Sequence, residues 1–95
     1  MDPEKYAAIR KHLGTREYAF TEYADGTRGI TQFQLLAAKG PSPMIGVTDE
    51  FVEDFSADEI VHKLVEWDVL GVATGAPEKL VLVTRQGVEI KNRAL

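Results

Sequence analysis

The chain has 95 residues, no cysteine and a formal net charge of −4, with 44% apolar and 27% charged residues. That suffices for one small domain with a thin core, and it excludes disulfide and thiolate chemistry. Met1-Asp2-Pro3-Glu4 is no signal-peptide pattern and the longest apolar runs, such as 69–73 and 80–83, are too short to span a membrane, so a cytoplasmic protein with no membrane partner is expected.

In chain order, Asp2 can cap a first helix, Pro3 suits its first position and Glu4 suits its positive end. Tyr6, Ile9 and Leu13 then share one face, and Gly14 is a natural stop. Residues 16–24 are rich in aromatics and run into Asp25-Gly26, which predicts an extended segment entering a turn. Thr31 and Gln34 have capping-box spacing, and Ile30, Phe33, Leu36 and Ala37 supply a helical face, which predicts a helix over 31–39 ended by Gly40-Pro41. Met44-Ile45-Gly46-Val47 suits an edge strand over 44–46.

Thr48 opens a helix over 49–55, with Val47 and Val52 at the spacing of a hydrophobic staple. Ser56 repeats the design with a capping box to Glu59 and a staple between Phe55 and Ile60. The helix it starts is predicted over 57–70, with Ile60, Val61, Leu64, Val65 and Trp67 toward the core and Gly71 at its end. Residues 72–83 suit a hairpin with Gly75, Ala76 and Pro77 near its tip. Its second arm, Leu80 to Val83, is apolar at every position, which implies burial on both faces. Thr84 is placed to cap a closing helix over 85–94, with Val83 and Val88 at staple spacing and Lys91 and Arg93 near the negative end.

From residue 30 this order resembles the winged helix-turn-helix superfamily. The stretch Leu64-Val65-Glu66-Trp67-Asp68-Val69-Leu70-Gly71-Val72 resembles the junction of recognition helix and wing. Val83-Thr84-Arg85-Gln86-Gly87-Val88-Glu89 resembles the exit from the wing in MarR-like and PadR-like regulators. The fold class implied is α+β, a winged helix over 30–95 with an added N-terminal helix and extended segment over 1–29 that is a candidate dimerisation extension. The function implied is a small, dimeric, DNA-binding transcriptional regulator. Carried onto this chain, the contacts to double-stranded DNA are His62 and Lys63 on the recognition helix, Lys79 on the wing and Arg85 beyond it.

The charge pattern opens a second reading. Residues 41–70 carry Lys63 against Asp49, Glu50, Glu53, Asp54, Asp58, Glu59, Glu66 and Asp68, a local charge of −7. Affinity for DNA comes largely from cations on phosphates, whereas an acidic helix complements a basic protein. The alternative is therefore a winged-helix protein-interaction module using Asp58, Glu59 and Glu66 on helix 57–70. Tyr18, Phe20 and Tyr23 are candidates for a homodimer surface, where aromatics are favoured.

Catalytic patterns are lacking. Ser56 is accounted for as a cap, Ser42 lies between prolines, and no nucleophile elbow or phosphate-binding loop is present, so no enzyme and no cofactor are expected. Asp58, His62 and Glu66 line one helical stripe, read as a solvated face rather than a metal site.

Overall fold

A computed structural model describes residues 3–14, 19–36 and 40–92. In chain order it has helix α1 (Pro3–Gly14), strands β1 (Phe20–Asp25), β2 (Ile30–Leu35) and β3 (Met44–Thr48), and helices α2 (Asp49–Asp54), α3 (Ala57–Glu66) and α4 (Val69–Gly75). Strands β4 (Lys79–Thr84) and β5 (Gly87–Asn92) follow. The five strands form one sheet in sequence order. The first three make an antiparallel meander, α2 to α4 cross over to β4 parallel to β3, and β5 returns antiparallel through a two-residue turn at Arg85 and Gln86.

The period-2 alternation of strand side chains divides the sheet into two faces. Thr31, Phe33 and Leu35 of β2, Ile45 and Val47 of β3, and Val81 and Val83 of β4 point to one face and are buried. The apolar ones pack with Tyr6, Ile9 and Leu13 of α1, Phe51 and Val52 of α2, Ile60 and Leu64 of α3, and Val69, Leu70 and Ala73 of α4 in a single core. All four helices therefore lie on that face, and the molecule has two layers.

This architecture overturns the winged-helix expectation. The sheet has five strands, two of them where helices were predicted. Residues 30–35 form β2 because Thr31, Phe33 and Leu35 are buried at every second position while Ile30, Gln32 and Gln34 turn to the other face. The Thr31–Gln34 capping box does not form. Residues 87–92 form β5 rather than a closing helix, since Thr84 closes a turn. Its hydroxyl donates to the Gly87 carbonyl at 3.1 Å and accepts from the Gln86 amide at 3.2 Å. Gly87 has φ 140°, in the region that favours glycine.

The expected wing is absent too. Its first arm is α4, whose Val69, Leu70 and Ala73 recur at helical spacing and bury in the core. The Thr74 hydroxyl bonds back to the Leu70 carbonyl at 2.9 Å. Met44–Thr48 is a strand as expected, but it lies at the centre of the sheet and not at its edge.

Other signals formed as read. Residues 3–14 are helical with Tyr6, Ile9 and Leu13 buried, and the aromatic stretch ends in a strand and a turn at Asp25-Gly26. Thr48 and Ser56 cap α2 and α3, the latter with a complete capping box. The helix expected over 57–70 breaks at Asp68, whose left-handed φ of 48° and ψ of 48° turns the chain and starts α4. Gly71 is not the stop. It lies inside α4, where a Cβ would collide with the Asp68 carboxylate.

Candidate functional site

Of the four residues expected to meet DNA, His62 and Lys63 line one depression on α3 while Lys79 and Arg85 lie at opposite ends of β4, and Lys63, Lys79 and Arg85 are engaged in other ways. Lys63 lies over two aromatic rings, its Nζ 5.0 Å from the Phe55 centroid and 5.2 Å from that of Trp67. Phe51 joins those rings at 5.3 Å from Phe55 and 6.0 Å from Trp67, so the cation covers an aromatic wall of the core. Arg85 ties the β4–β5 turn to α2, with Nε 3.5 Å from Glu50 and Nη1 3.5 Å from Asp54. Lys79 donates to Asn92 Oδ1 across the β4–β5 ladder at 2.6 Å. Lys79 and Arg85 thus stand at opposite ends of a six-residue strand, roughly 20 Å apart. His62 is exposed and 4.0 Å from Glu66 one turn on.

The acidic residues are disposed differently. Asp49, Glu50, Glu53, Asp54, Asp58, Glu59, Glu66 and Asp68 are all exposed, on or beside α2, α3 and α4. On α3 the outward stripe is Asp58, Val61, His62, Val65 and Glu66, at three- and four-residue spacing. Val65 is 62% exposed, whereas the sequence placed it in the core. The amphipathic face of α3 is narrower than the apolar count suggests, because α1 and α4 cover only the Ile60 and Leu64 side. Beside the stripe lies a shallow depression of about 320 Å³ lined by Asp58, Glu59, His62 and Lys63. Glu59 has a structural task as well. Its Oε1 accepts from the Ser56 amide at 3.0 Å, which holds the carboxyl below its ordinary range.

A larger cleft of about 440 Å³ opens between the first turn of α1, the β1–β2 turn and α2. Its walls combine Ala24, Ile30 and Val52 with Asp25, Asp49 and Glu53. Lys5 donates to the Val52 carbonyl at 2.9 Å, and the Tyr6 hydroxyl donates to Asp49 at 3.3 Å. Burial, then the neighbouring Asp49 charge, push the Tyr6 phenol above its usual value, against a lowering bond from Thr31. Asp25 also accepts from the Thr27 and Arg28 amides in the turn.

The aromatic candidates separate. Phe20 turns toward the helices, edge-on to Phe33 at 6.0 Å. Tyr23 turns to the opposite face of the sheet and is 65% exposed. Tyr18 lies outside the described residues. Among the described residues, no group of His, Asp and Glu is arranged to hold a metal ion, and no helix is long and apolar enough to cross a membrane.

No protein-family model matches the chain, and neither a curated protein nor a solved structure matches it.

Proposed function

We propose that this chain is a protein-interaction module that binds a basic, amphipathic segment of a partner on the outer face of α3. The observation that carries this reading is Val65, exposed on a helix stripe with Val61 and flanked by Asp58 and Glu66. An apolar centre within a charged rim is the anatomy of a binding surface. The depression beside it sets Asp58 and Glu59 against His62 and Lys63, so carboxylates lie at the edge of the apolar stripe. Carboxylates around the rim accelerate encounter with a basic partner and repel a polyanion. The rival reading, a duplex bound through His62, Lys63, Lys79 and Arg85, draws less support, since three of those side chains have aromatic, amide or carboxylate partners.

Fluorescence anisotropy with two labelled probes tests the proposal: a helical peptide with alternating lysine and leucine faces, and a random DNA duplex, each at low and high salt. The peptide is expected to bind, more weakly at high salt. Val65→Ser and Glu66→Lys are each expected to weaken it about tenfold, or 1.4 kcal/mol. Duplex binding without peptide binding, or peptide binding untouched by both substitutions, overturns the assignment.

A further inference from the structure

We infer that the face of the sheet opposite the helices is the interface of a homodimer. This rests on other residues than the proposed partner site and stands or falls separately. The strands themselves raise the question. Leu80 to Val83 is apolar at every position, a pattern that belongs to strands covered on both sides. Val81 and Val83 meet the helical layer, whereas Leu80 and Leu82 point the other way, where no helix of the described residues packs. Leu80 is only 4% exposed, yet it lies outside the cluster packed beneath the helices. It folds with Leu82 and Ile30 over Gly46, where a Cβ would lie 3.1 Å from Ile30, 3.3 Å from Leu82 and 3.4 Å from Leu80. Met44 extends this apolar floor, and the exposed Tyr23 borders it.

Chemistry points to a second copy as the occupant, and size to a weak contact. Five strands about 4.8 Å apart, each of about six residues rising about 3.3 Å, give a face of roughly 500 Å² in projection. That lies below the about 800 Å² per partner of a standard interface, in the range of weaker, concentration-dependent contacts. An isologous contact must complement itself. A two-fold axis along β3 sets β1 of one copy against β5 of the other. The ladders place Thr21 level with Lys91, and Tyr23 level with Glu89. The Tyr23 hydroxyl then donates to Glu89 of the partner subunit, and its ring faces Lys91 of the partner subunit. Glu89 meets a phenol rather than its own copy. The eight carboxylates of residues 49–68 remain with the outer, helical layer of each chain, so their like charges stay apart.

Sedimentation equilibrium of the full chain from low to high micromolar concentration tests this, with Tyr23→Ser and Leu82→Glu beside it. The parent is expected to dimerise, and each substitution to raise the dissociation constant by at least about tenfold. Tyr23→Ser replaces an exposed side chain, so its circular dichroism spectrum is expected to match the parent even if Leu82→Glu folds poorly. Val65→Ser on α3 is expected to leave the dimer unchanged. A chain that stays monomeric throughout, or a dimer that Tyr23→Ser leaves intact, overturns the inference.

Discussion

Three titrating side chains show how single residues set the pH range of this fold. Ser56 and Glu59 bond reciprocally at the start of α3, with Ser56 Oγ accepting from the Glu59 amide at 3.2 Å. Loss of such a cap costs about 1 kcal/mol. Ser56→Ala is therefore expected to lower the melting temperature by about 5 °C, read by thermal circular dichroism. Because the bond holds the Glu59 carboxyl below its usual value, its stabilisation is complete above the ordinary glutamate range and is lost as pH falls through the lowered value. Glu22 adds the same sign, its carboxyl lowered by a forked pair to Arg10 at 2.6 and 2.9 Å. Tyr6 acts at the other end of the scale. Its raised phenol favours the neutral form in the folded chain, so stability holds below the ordinary value of 10.0 and declines as pH rises toward the raised one. Urea midpoints for Tyr6→Phe are expected to fall less steeply than those of the parent above that pH. An equal decline in both would show that the buried phenol does not titrate with folding.

At the scale of elements, local devices were legible where no strand pairing competes for the same residues. Thr48 and Ser56 find their partners a single turn away and cap as their spacing predicts, whereas Thr31 and Gln34, at the same spacing, lie in a strand and form no cap. The segment after Gly29 satisfies two periods at once. Ile30, Phe33 and Leu36 suit a helix, whereas Thr31, Phe33 and Leu35 suit a strand, and the sequence does not contain the pairing with β1 and β3 that decides it. The same holds for Gly87–Asn92, six residues whose identity depends on pairing with β4. The kink at Asp68 depends on one left-handed residue within an otherwise helical pattern. Asp and Asn tolerate that region and β-branched residues do not. Asp68→Val is thus expected to cost about 1–2 kcal/mol in urea titrations and Asp68→Asn a few tenths. Equal effects would mean that the kink is set by packing of Val69 and Leu70 rather than by the backbone preference of residue 68.

Across the whole molecule, composition announced the acid block, but which residues surround it depended on topology. Arg85 reaches Glu50 and Asp54 only because β4 runs parallel to β3 and delivers its turn beside α2. That parallel pair also governs how the molecule unfolds. Residues 49–78 lie between its strands, so α2 and α4 meet the sheet beneath them only when β3 and β4 pair. Loop closure and helix packing are then one event, and a 95-residue chain with a single core is expected to unfold in a single step. Phe33 is the side chain that probes this most directly. It is fully buried at the middle of β2, between Glu22 on β1 and Ile45 on β3, and packs beneath the helices. Phe33→Ala is expected to cost about 3–5 kcal/mol, a large share of the roughly 5–15 kcal/mol typical of such domains. Trp67 fluorescence follows the helical layer, and far-ultraviolet circular dichroism follows the backbone of both layers. Their transitions are expected to coincide in the parent and to shift together in Phe33→Ala. A Trp67 transition that stays in place while the dichroism moves would show that the helical layer stands without the sheet, and that the crossover does not couple them.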